Sequence, residues 1–122
     1  MTRKQPKKTT YKKGLRAENI AALYLLLKGY WIVARRFKTK SGEIDLIARH
    51  GKTILIIEVK ARKDLLSGHD AVDFTSQRRI MAAADIWLAQ QKDAASLSLR
   101  FDVIIMRPWR LPTHIKNFAS FN

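Results

Sequence analysis

The chain contains no cysteine, which removes disulfides and thiolate zinc sites and fits a cytoplasmic protein. No uncharged apolar run reaches the roughly 18 residues that a membrane-spanning helix needs, so no membrane association of that kind is expected. The basic N-terminus has no apolar stretch behind it and does not read as a signal peptide. Acidic residues are few: 10 Asp and Glu stand against 24 Lys and Arg, for a net charge of +14. Residues 1–17 have no acidic residue but seven basic ones: Arg3, Lys4, Lys7, Lys8, Lys12, Lys13 and Arg16. The rest of the chain still holds a net +7.

At 122 residues and 47% apolar composition, the chain has material for one domain around one core. Its charge points to a polyanionic partner, because phosphate neutralisation dominates nucleic-acid affinity. A merely solubilising surface is the plainer explanation. A membrane surface fits less well, since the basic tail lacks the apolar face of an interfacial helix.

Residues 1–12 are polar and basic and read as a disordered arm, leaving 13–122 as a single domain. Glu18, Ala21, Ala22, Leu25 and Leu26 keep three-and-four spacing, so a helix is expected from about Gly14 to Lys28, stopped by Gly29. Tyr30–Phe37, Glu43–Arg49 and Thr53–Ala61 read as strands, rich in β-branched and aromatic residues. Lys63–Asp70 reads as a polar loop. A second helix is expected over about Ala71–Gln91, with Ile80, Ala84, Trp87, Leu88 and Gln91 inward and Arg78, Arg79 and Asp85 outward. Leu99–Met106 is a fourth strand; Pro108 and Pro112 interrupt regular structure beyond it, and the last ten residues read as a short strand or turn. The central strands are apolar on both faces, as in a sheet covered by helices. The fold class is therefore α/β, in the order α-β-β-β-α-β.

The run Gly42–Arg62 carries the chemistry. Glu58 directly follows Ile54-Leu55-Ile56-Ile57, where a carboxylate should be buried and where an unpaired charge is costly. A divalent metal would satisfy it. Side chains two apart share a strand face, so Glu58 and Lys60 project together. With His50-Gly51 as a two-residue turn and Arg49 paired to Lys52, Asp45 opposes Ile56 and lies diagonal to Glu58, on the order of 7 Å away at Cβ. Glu43 then faces Glu58 directly, so geometry does not choose between Glu43 and Asp45. Two carboxylates with the Val59 carbonyl would hold Mg²⁺ or Mn²⁺ through oxygen, and Lys60 would act on the water or the developing charge. The plainer reading is a structural Glu58–Lys60 ion pair.

Other candidates also carry a plainer reading. Glu18, on the apolar helix stripe, is either a further ligand or an acid paired with Arg16 or a strand arginine. Gln77 either binds a metal water or phosphate or is a satisfied residue at the core rim. Arg100 and Asp102 read as a structural pair. His50, His69 and His114 lack ligand spacing. Trp31, Trp87 and Trp109 read as packing residues, with Trp109 in its Pro-flanked basic loop a stacking candidate.

Taken jointly, GEIDLIA, IIEVKAR, the Gln77-Arg78-Arg79 helix start and RFDVIIM resemble the YraN-like family of small bacterial proteins, over roughly Gly14 to Ala119. The resemblance implies a restriction-endonuclease-like mixed sheet flanked by helices, with a PD-(D/E)XK core similar to that of Holliday-junction resolvases. It implies Asp45, Glu58 and Lys60 as the core triad, favouring Asp45 over Glu43, and Glu18 as the helix acid of resolvase-like members. Ala34-Arg35-Arg36 departs from the family pattern, where an asparagine often follows the arginine. The expected function is Mg²⁺- or Mn²⁺-dependent cleavage of DNA, branched or damaged, in the cytoplasm. The alternatives are a non-catalytic nucleic-acid-binding protein that keeps the fold, and a ribosome-associated basic protein. A two-fold substrate would favour a homodimer.

Overall fold

The computed structural model describes residues 5–118, with side chains from Gly14 onward. The first helix, α1 (Gln5–Leu27), buries Ala17, Glu18, Ala21, Ala22 and Leu25 along one stripe. It starts well before the expected Gly14. Residues 5–12 of the expected arm are helical, and residues 1–4 lie outside the described residues. Lys and Gln are good helix formers, and Pro6 falls in the first turn, where its missing N–H is not needed. The helix ends as anticipated. Gly29 sits at φ +93°, the Tyr30 N–H donates to Leu25 O (2.9 Å) and the Gly29 N–H to Leu26 O (3.0 Å), the paired bonds of a Schellman cap.

Five strands come next: β1 (Trp31–Lys38), β2 (Glu43–His50), β3 (Thr53–Ala61), β4 (Ser98–Met106) and β5 (Thr113–Ile115). They lie side by side in chain order, antiparallel except for the parallel pair β3–β4. A parallel neighbour needs a crossover. Here α2 (Leu65–Asp70) and α3 (Phe74–Ala89) supply it. The expected order α-β-β-β-α-β is thus present, with α2 in place of the expected loop, and β5 is the short strand that was one of the two expectations for the last ten residues. Asp64 explains α2: its carboxylate accepts from the Ser67 N–H and caps the turn. Asp73 caps α3 in the same way, through the Ser76 N–H.

The sheet is covered on both faces. On one side Ile44, Ile47, Ile54, Ile56, Phe101 and Val103 pack with Ile80, Ala84 and Trp87 of α3. On the other, Leu46, Ala48, Leu55, Ile57 and Ile104 pack with Ala21, Ala22 and Leu25 of α1. No helix among the described residues is long and apolar enough to cross a membrane.

The β2–β3 turn lies one residue later than expected, which shifts the register by two. His50 pairs with Thr53, so the turn is Gly51-Lys52, with Gly51 at φ +62°. Positive φ at the first turn residue is what a type II′ hairpin asks of glycine. A two-residue shift preserves which face each side chain takes, and it brings Asp45 opposite Glu58 rather than diagonal to it.

Two irregularities position the site. β2–β3 pairing ends at Leu46–Ile57, although β2 runs on beside β1 to Glu43 and β3 runs on beside β4 to Ala61. The sheet therefore forks at Asp45 and Glu58. In the same place β1 and β2 lose their alternation: Ala34 and Phe37 face the same layer, as do Ile44 and Ile47. The skipped residues are Arg36, at φ +52°, and Asp45, which fall opposite each other in the β1–β2 register.

Candidate metal and phosphate site

The fork explains how charged groups meet inside an apolar sheet. Beyond Leu46–Ile57 the Val59 N–H has no β2 carbonyl in register. It donates instead to Asp45 Oδ2 at 2.8 Å. In a strand, N–H and C=O of one residue point the same way, so the Val59 carbonyl leaves β3 on the fork side too. The Val59 side chain packs into the α1 layer, which puts Glu58 and Lys60 on the α3 side. There Lys60 Nζ lies 2.9 Å from Glu58 Oε2. Lys60 also helps to lower the pKa of Asp73 at the N-terminus of α3, after the hydrogen bonds from Ser76.

Asp45 and Glu58 are close enough to hydrogen-bond through their side chains. Burial and the neighbouring Glu58 push the Asp45 carboxyl up to about 8, against the Val59 N–H, which favours its charged form. Glu18 adds a smaller repulsion from the α1 side. Glu18 is itself buried and holds Arg36 Nη1 at 3.1 Å, the strand-arginine pairing that was the plainer of its two readings. Glu43 is exposed and lies opposite Lys38, so the structure brings Asp45, not Glu43, to Glu58. Gln77 turns back on its own helix: Nε2 donates to Val72 O at 3.3 Å.

The donor set suits one kind of ion. No group of three or more His, Asp or Glu side chains capable of caging a metal occurs among the described residues. Two carboxylates and a backbone carbonyl match Mg²⁺ or Mn²⁺, which bind through one or two carboxylates and keep several waters. Burial and the neighbouring Glu58 both disfavour a charged Asp45, and a cation bound there would relieve both effects.

Sequence reasoning missed two features. Arg36 is one; its signal was a pair of adjacent arginines inside a strand. The other is the extent of the Asp102 cluster. The Arg100–Asp102 pair is present, with Nε–Oδ1 at 2.9 Å and Nη2–Oδ2 at 2.8 Å. To it are added His114 Nε2, 2.7 Å from Oδ2, and the Asn117 N–H, 2.9 Å from Oδ1. This fully buried carboxylate ties β5 and the segment after it to β4. Burial works against its charge, yet the bonds from His114, Arg100 and Asn117 hold its pKa below the ordinary carboxylate range.

Fold and site together define a small mixed α/β protein with two carboxylates and a lysine at a strand fork. The chain belongs to UPF0102, an uncharacterised protein family whose sequence model matches residues 17–106 and takes in the fork, the C-terminal half of α1 and all of α3; these are the YraN-like proteins that the motifs pointed to. It is 59% identical to a UPF0102 protein of Bartonella bacilliformis over 118 residues, covering 97% of this chain and 96% of the relative. It is also 52% identical to one of Mesorhizobium japonicum over 107 residues (88% and 86%), and 50% identical to one of Brucella canis over 117 residues (96% and 93%).

Proposed function

We propose that this protein is a metal-dependent endonuclease that hydrolyses phosphodiester bonds in branched or damaged DNA. The observation that carries this reading is the pair Asp45–Glu58 at the fork, two carboxylates held against each other with Lys60 at 2.9 Å from Glu58. Mg²⁺ or Mn²⁺ on these carboxylates would supply Lewis-acid polarisation of a phosphate and an activated water. The chain's own residues do the rest. The Val59 N–H fixes the orientation of Asp45, and Arg36 holds Glu18 away as a paired anion. Lys60 is placed to steady charge as it develops on the phosphate. The net charge of +14 supports DNA as the substrate. Gln77, bonded to its own helix, has no part in this reading unless its side chain turns on binding.

A second reading rests on the same ion pair: with Glu58 already neutralised by Lys60, the fold serves to bind DNA without cutting it. Cleavage assays on linear, flapped, four-way and abasic DNA decide between them. The nuclease reading expects cleavage in Mg²⁺ or Mn²⁺, little in Ca²⁺, and none in Glu58→Ala or Asp45→Ala. Lys60→Ala should lose turnover while still binding metal by calorimetry. Wild-type protein that binds DNA, binds no metal and leaves every substrate intact would establish the binding-only reading.

A further inference from the structure

We infer that the turn Arg107–Arg110 is a stacking platform for an unpaired nucleotide, so that the preferred DNA is a duplex interrupted by unpaired bases. This rests on the DNA reading above and gives it a substrate preference. The Arg110 N–H donates to Arg107 O at 3.3 Å, closing a four-residue turn with Pro108 and Trp109 at its centre. Trp109 sits at φ +61°. Proline followed by positive φ is the pattern of a type II turn, whose third position is normally Gly or Asn. A tryptophan there is strained, and a strained non-glycine residue on a surface turn points to function.

The strain yields no packing in return, because Trp109 is 102% exposed. Both faces of the indole are open, with Arg107 and Arg110 on either side in sequence. An exposed aromatic between cations suits a nucleobase joined to a phosphate chain. The Nε–H of Arg107 at the base of the turn is buried and meets no hydrogen-bond acceptor among the described residues. Bases inside an intact duplex have their faces covered, so only unpaired ones can stack on Trp109.

The turn also stands at the right end of the sheet. β4 and β3 leave together: Ala61 pairs with Met106, and the Arg62 N–H donates to Met106 O at 2.9 Å. Lys60 is the residue before Ala61, and Trp109 lies three residues past Met106. Phe74, 71% exposed with the Arg78 guanidinium 5.8 Å from its ring centre, opens α3 beside Asp73, whose carboxylate responds to Lys60. Trp31, also exposed, pairs with Arg49 at the opposite end of the sheet and serves as a control.

The experiment is fluorescence-anisotropy binding of the full chain, in EDTA and at fixed salt, to a fully paired duplex and to one of equal length with a short central bulge. Wild type should prefer the bulged duplex. Trp109→Ala should weaken bulge binding about tenfold and leave paired-duplex binding within about twofold, and Trp109→Tyr should recover most of the loss. Trp31→Ala should match wild type on both. Equal wild-type affinity for the two duplexes, or a preference that survives Trp109→Ala, overturns the inference and leaves the DNA reading standing. No binding to either duplex at low salt overturns the DNA reading itself. Binding to anionic vesicles that is lost in Trp109→Ala, with the DNA preference untouched, overturns it in favour of a membrane surface.

Discussion

Replacing Asp45 with asparagine should stabilise the metal-free protein, by an amount that grows as pH rises from about 4 and levels off above about 8. The structure holds the Asp45 carboxyl between a donor, the Val59 N–H at 2.8 Å, and an acceptor, the Glu58 carboxylate. A protonated aspartic acid satisfies both. So does asparagine, accepting with Oδ1 and donating with Nδ2. An ionised aspartate does not. Its carboxyl titrates at about 8 in the fold and at 3.8 in the unfolded chain. Across that interval the native state keeps a proton that the unfolded state has lost, so stability falls as pH rises, and is flat above it. At about 1.36 kcal/mol per pH unit the ceiling on the loss is roughly 6 kcal/mol. Asp45 is only half-buried, and screening by solvent brings the expected gain in Asp45→Asn to about 2 kcal/mol, or roughly 5–10 °C in Tm. Melting curves in EDTA at pH 5 and pH 8.5 test this. The gap between variant and wild type should open with pH. Mg²⁺ should then raise the wild-type Tm at pH 8.5 and leave the variant unmoved. A variant equally destabilised at both pH values would refute the shared-proton reasoning.

Three further outcomes are expected. Asp102→Ala should cost roughly 3 kcal/mol in urea denaturation at neutral pH, because it strands Arg100 and His114 and frees the Asn117 N–H. Since the Asp102 pKa is lowered, its stabilisation is present above the unfolded value of 3.8 and is lost as pH falls through the folded value, so the deficit should shrink in acid. Gly42→Ala should destabilise by about 2 kcal/mol, since the added Cβ would stand 2.7 Å from the Arg79 carbonyl oxygen and force the β1–β2 turn off α3; a neutral result would mean that turn is not docked. DNA affinity should fall steeply with salt, by about −0.9 in log K per unit log salt for each phosphate neutralised, and a flat dependence would remove the charge argument for DNA.

The elements that pack were legible because their periodicity is unbroken. Ala21, Ala22 and Leu25 in α1, and Ile80, Ala84 and Trp87 in α3, face the sheet as their spacing requires. Residues 63–70 were not legible as a helix. Ser67-Gly68 looks like a loop signal, but a Cβ on Gly68 would lie 2.6 Å from Ile105, so glycine is there to let α2 approach β4. Local propensity carries no information about such a tertiary contact.

The hairpin shows why two side chains can be brought together from an imperfect register. The expected register pairs Asp45 with Ile56, two residues short of Glu58, yet a shift of two leaves every side chain on its own face, so the carboxylates still meet. What alternation could not supply is the break at Arg36 and Asp45, where both strands change parity. That break depends on positive φ at Arg36, a conformation in which asparagine is several-fold favoured over most residues. Here Arg36 meets the same requirement with a strained backbone and adds a guanidinium that neutralises Glu18 at 3.1 Å. With Lys60 neutralising Glu58, the fork contains two paired anions and one carboxyl, Asp45, that has no cation of its own among the described residues. A divalent ion entering there, as proposed, would displace the proton of Asp45 and would leave both existing pairs in place. The break in the sheet at Arg36 and Asp45 is what would make room for it.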